Sequence, residues 1–100
     1  MLDTLTREQF AEHQGETFRL ETGGSATFDL TLAEATPLGG AARGGEREPF
    51  SLTFRGPAEP VLPQAIYPVE HPKLGKLEIF LVPIGPDPKE KGMRYEAVFT

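Results

Sequence analysis

The chain has two histidines, His13 and His71, and each follows an acid, Glu12 and Glu70. Imidazole and carboxylate together are ordinary ligands of a zinc-like ion, which needs three or four converging donors. These residues would supply them only if the segment around His13 met the turn around 70–72. The spacing carries no HExxH-like signature. A helix-end cap and a turn residue are the simpler expectation, so no metal ligand is assigned.

The other reactive types are equally sparse. Ser25 or Ser51 with a histidine and Asp3, Asp29 or Asp87 would supply the groups of a nucleophilic triad. No GxSxG-like setting surrounds either serine. Ser25 falls in a turn, and Ser51 should face outward on a strand. Glu78 and Glu96 sit on neighbouring strands and could pair for acid–base work. A polar outer face with Lys76 or Arg94 nearby accounts for them more simply. The run "GGAARGG" lacks the GxxxxGK[ST] pattern of a phosphate loop, and no helix follows it. No catalytic residue and no cofactor are assigned, and the chain reads as a non-enzyme.

Two weaker constellations remain. In an antiparallel meander, alternate connections fall at one end. The 37–48 loop and the 72–75 turn would then bring Arg43, Arg47, Lys73 and Lys76 into a candidate anion-binding rim, with Lys89 and Lys91 at the other end. Ordinary solvated loop charges are the alternative. Tyr67 and Tyr95, with Phe80, could line a ligand cavity in a small barrel, although small barrels are usually filled by their own side chains.

These residues are positioned by a helix and six strands. Thr6 is a good N-cap with Gln9 at capping-box spacing, and Leu5 and Phe10 match a hydrophobic staple. Glu8 and His13 suit the two ends of the helix dipole. Gly15 is a natural stop, so the spacing predicts a helix over about 7–13. The period then changes to two. "ETFRLE" and "ATFDLTLAEA" alternate across the turn signal "TGGS" and should form a hairpin. "PLGGAARGGERE" has no apolar period and reads as a flexible loop over about 37–48. "PFSLTFR" points Phe50, Leu52 and Phe54 inward. "IYPVEH", "KLEIFLVPI" and "MRYEAVFT" follow, the second so apolar that both its faces should be covered. Met93, Tyr95, Ala97 and Phe99 share one face of the last.

From the end of the third strand through the fourth runs "FRGPAEPVLPQAIYPVEHP", with five prolines. Proline cannot donate to a ladder, so Pro57, Pro60 and Pro63 should hold an extended crossing segment from which Val61 and Leu62 dip into the core. Pro68 marks its strand as an edge or bulged one. The short connections favour antiparallel pairing. The fold class is therefore mainly β: a small, six-stranded, partly closed barrel or sandwich, with the helix over one open end or face.

The totals set the class. One hundred residues make a single domain, 1–100. A content of 38% hydrophobic and 25% charged residues is ordinary for a soluble globular chain. There is no cysteine, hence no disulfide, no thiolate zinc site and no cysteine nucleophile. That fits a reducing compartment. "MLDTLTREQF" is not a secretory signal. No run approaches the roughly 18 apolar residues of a membrane span. A cytoplasmic protein without a membrane partner is expected. The net charge of −5 argues against nucleic acid. Residues 1–50 carry all of it, holding nine acids and four arginines.

"LTREQFAEHQGETFRL", "REPFSLTFRGP", "VLPQAIYPVEHPKLGKLEIFLVPIGP" and "YEAVFT" together span nearly the whole chain. They resemble a small bacterial family of domains of unknown function, with similar sequences encoded near phage-tail-collar-like proteins. Ala65 departs from the resemblance, which implies glycine there. The resemblance implies no catalytic residue. It implies a structural or protein-interaction module of a phage-tail-like assembly. The flexible loop and a free sheet edge would be its contact surfaces, with "YEAVFT" adding to another sheet. A protein partner or self-association follows from that reading. The alternative is a small-ligand-binding β-barrel.

Overall fold

The computed structural model describes residues 6–22, 26–38 and 49–99. Helix α1 (Arg7–Ala11) is followed by strands β1 (Thr17–Glu21), β2 (Thr27–Pro37), β3 (Phe50–Gly56), β4 (Ala65–His71), β5 (Gly75–Pro86) and β6 (Met93–Phe99). The strands close into a barrel in the order β1-β2-β3-β6-β5-β4, every pairing antiparallel. Of the two sequence-based architectures, the barrel is the one formed, and its wall is closed.

Alternation builds the interior. Phe18, Leu20, Leu30, Leu32, Leu52, Phe54, Val69, Leu77, Ile79, Leu81, Tyr95 and Ala97 are buried in one core. The sequence expects both faces of β5 to be covered, but its Phe80 is 49% exposed. The wall is a single layer, so only its inner side excludes water. Ser51 differs in the opposite sense and is buried. It stands between Thr36 and Val98 on the adjoining strands, which shade its short side chain.

The capping box is present at α1, with Thr6 accepting from the Gln9 amide and the Gln9 side chain accepting from the Thr6 amide. Leu5, the other half of the expected staple, lies outside the described residues. The helix stops at Ala11 rather than near His13. The β2 ladder claims the chain early: the Gly15 amide donates to the Leu32 carbonyl, and the Leu32 amide to the Glu16 carbonyl. Gly15 makes the change of direction at φ +88°, a conformation that suits glycine. The helix lies at the barrel end where β1, β3 and β5 begin. There Phe10 packs on Phe50 and Phe99, with ring centroids 5.9 and 5.6 Å away, while Phe50 and Phe99 stack at 4.8 Å. Phe10 is the plug of the α1 end.

Residues 57–64 run over the opposite end. In the wall, β3 and β4 are three places apart in either direction, so this linker crosses the barrel mouth. Leu62 dips into the core as expected, but Val61 is 49% exposed. In an extended segment, successive side chains point opposite ways, and only one can face the mouth. The crossing is tied down by both tyrosines: the Leu62 amide donates to Tyr95 Oη at 2.8 Å, and Tyr67 Oη donates to the Pro63 carbonyl. Pro68 sits within β4 opposite Glu78 of β5. Its side toward β1 is open, because β1 and β4 pair only at Arg19↔Glu70 and Leu20↔Val69. The free edge expected at the last strand is corrected: β6 pairs with β3 along its length and with β5 at Met93–Glu96.

Tyr95→Phe would leave the buried Leu62 amide without an acceptor. We expect a loss of about 1–3 kcal/mol in urea unfolding. An unchanged midpoint would remove this bond from the account of how the barrel mouth is closed.

Candidate functional site

Three chemistry-bearing side chains meet at the α1 end. His13 leaves the end of α1, Glu16 enters β1, and His71 ends β4. Glu16 Oε1 lies 2.9 Å from His13 Nδ1 and 2.8 Å from His71 Nε2. Both histidines are buried. Their rings are 4.4 Å apart, and Phe18 lies 4.6 Å from His71 on the core side. The end of the helix therefore does meet the 70–72 turn, the condition for a metal site. The carboxylate is Glu16, however, and not Glu12 or Glu70. Glu12 is exposed, and Glu70 stands opposite Lys76 on the outer wall. The signal for Glu16 was Gly15, whose turn sends the following residue back toward His13.

The donor chemistry decides between a metal centre and a hydrogen-bonded network. One ligand atom from each of the three residues lies within 4.8 Å of the others. A metal-bound imidazole ordinarily donates its second ring N–H to an acceptor. His71 Nδ1 instead accepts from the amides of Lys73 and Leu74, at 3.1 and 3.3 Å. The neutral ring must therefore carry its hydrogen on Nε2, aimed at Glu16. Metallating Nε2 would force a hydrogen onto Nδ1 against two amide donors, or break the turn. The set fits a carboxylate bridging two imidazole N–H groups more directly than it fits a metal centre. The His71 hydrogen bond first, and the His13 bond second, hold the Glu16 carboxyl below the usual carboxylate range, against a smaller opposing effect of burial.

The remaining predicted groups are scattered. Ser51 lies on β3, Asp29 faces Arg19 at 3.9 Å, and Asp87 accepts from the amides of Lys89 and Glu90 in the turn after β5. Those two amides hold the Asp87 carboxyl low. Asp3 and Ser25 lie outside the described residues, and so do Arg43 and Arg47. Lys73 and Lys76 are exposed at the α1 end, and Lys89 and Lys91 at the linker end. Tyr67 and Tyr95 are core residues whose hydroxyls are engaged by the linker. Burial, and to a lesser degree Tyr95, pushes the Tyr67 phenol up. A groove of about 290 Å³ beside the network is lined by Thr17, Arg19, Glu70 and Pro72.

The outer wall holds a feature the sequence reading missed. Ile66 and Phe80 are cross-strand partners. The β5–β6 ladder ends at Val82↔Glu96, and counting two residues further along each strand sets Val98 level with Phe80. Ile66 is 64% and Val98 55% exposed. Reading β5 as covered on both faces hid this row. Glu78 and Glu96 flank it, each two residues along a strand. They stand opposite Pro68 and Val82 rather than each other, so they are not the expected pair.

Residues 5–99 match the family described as Domain of unknown function (DUF6916). The chain belongs to this family. No curated protein and no solved structure matches it. No helix among the described residues is long and apolar enough to cross a membrane.

Two outcomes follow for the network. Added Zn²⁺ should leave the melting temperature unchanged, and a rise at stoichiometric zinc would revive the metal reading. Because the folded state depresses Glu16, this residue contributes stability that is full above its unfolded pKa and is lost as pH falls through its lower folded pKa. Glu16→Gln should remove that component from the acid limb of a stability-against-pH curve. Superimposable limbs would show that the two imidazoles do not hold the carboxylate.

Proposed function

We propose that the domain is a non-catalytic protein-interaction module of a larger assembly, phage-tail-like as the sequence resemblance implies. It docks through the outer face of β4, β5 and β6. The observation that carries this reading is the row Ile66, Phe80 and Val98 on three successive strands of the wall. Single exposed apolar side chains are ordinary on a protein surface. Three large ones at one level on adjoining strands favour a contact surface. Ile66 and Phe80 are held by the β4–β5 ladder and Val98 by the β3–β6 ladder, so each side chain is carried on paired backbone and loses little freedom on binding.

The non-catalytic part is supported by how the reactive groups are used. His13, Glu16 and His71 satisfy one another and hold a turn. The barrel interior is filled by its own core, and both tyrosine hydroxyls are engaged. That packing favours the interaction reading over a ligand inside the barrel.

The test is affinity purification of the tagged chain and its Phe80→Ser variant from the native host, followed by mass spectrometry. Replacing this outward side chain should change stability by only about 0.5 kcal/mol. A stoichiometric partner should fall by roughly tenfold or more with the variant, as for a central contact residue. Full retention by a variant with an unchanged melting temperature would sink the proposed face.

A further inference from the structure

We infer that the partner at this face is a different protein, presenting an apolar segment flanked by lysine or arginine, and not a second copy of this chain. The inference rests on the docking face proposed above and adds the chemistry of what it takes. The apolar row is bounded on one side by Glu78 and on the other by Glu96. Among the described residues neither carboxylate has a salt bridge, and none of their cross-strand neighbours is a cation: Glu78 stands opposite Pro68, and Glu96 between Val82 and Thr53. The nearest basic side chains along the strands lie one position further out. Lys76 is opposite Glu70, and Arg94 is half-buried beside Arg55. From the apolar row outward, the first charge met on either side is therefore negative. A segment that buries an apolar side chain on Phe80 brings its own flanking residues over these acids. Cations there gain, and anions are repelled.

The same arrangement disfavours self-association through this face. A two-fold contact apposes one patch to itself. Because both flanks are acidic, either sense of that apposition sets carboxylate against carboxylate. Like charges facing each other across a contact are destabilising.

The probes are two short peptides with the same Val-Leu-Val centre, flanked by lysines in one and by glutamates in the other. The full chain is observed by amide NMR. The lysine peptide should shift resonances of residues 66, 78–82 and 96–98, and its affinity should fall as salt is added. The Glu78→Gln, Glu96→Gln double variant should weaken it by roughly three- to tenfold, the effect of two exposed ion pairs. Equal binding of the glutamate peptide, an unaffected double variant, or no shift at this face with either peptide would overturn the inference. Sedimentation of the chain alone should give a monomer. A dimer abolished by Phe80→Ser would overturn the inference while leaving the interaction face standing. Full partner retention by Phe80→Ser in the host purification would instead remove the face itself.

Discussion

The chain must cross the mouth of its own barrel, and much of the structure follows from that. Two three-stranded meanders, β1–β3 and β4–β6, form the wall, and their junction joins strands on opposite sides. A connection over a barrel mouth leaves the ladder, so its backbone groups need other partners. Prolines reduce the number of donors in residues 57–64, and the tyrosine hydroxyls bond the Leu62 amide and the Pro63 carbonyl. The same hydroxyls could otherwise have served a ligand. The demands of the crossing explain why this barrel is filled and closed at that end.

The other end is sealed by different means. A five-residue helix has too few internal bonds to stand alone. It is held by Phe10 against the Phe50–Phe99 stack and by the path through His13 to Glu16. His71 joins this network to the β4–β5 turn, where its Nδ1 acts as an aspartate or asparagine oxygen would, accepting from amides two and three residues on. The buried polar cluster is thereby explained by architecture. Each of its hydrogen-bonding groups named here joins two elements that would otherwise part.

The sequence made the periodic parts of this fold legible. Alternation located all six strands, and Thr6 with Gln9 located the helix start, because those signals are local. What it could not show was anything set by closure. Phe80 reads as core in a strand of nearly continuous apolar residues, and only a one-layer wall turns it outward. Glu16 was missed because its partners lie three residues behind it and fifty-five ahead. The turn at Gly15 accounts for His13, but no local rule connects Glu16 to His71. Val61 and Leu62 look alike in sequence, and the direction of the crossing separates them. The β6 edge read as free because strand order is not written in periodicity.

The two seams that join the meanders are unequal. β3 faces β6 across seven residue pairs, whereas β1 faces β4 across two. Backbone pairing holds the first like a spine and the second like a clasp. Breathing of the native state will therefore be hinged: amides on the facing sides of β1 and β4 exchange with solvent through small openings, while those of the β3–β6 spine wait for the whole domain to unfold. Such a molecule moves as a book does, with the binding kept shut and the covers free to part.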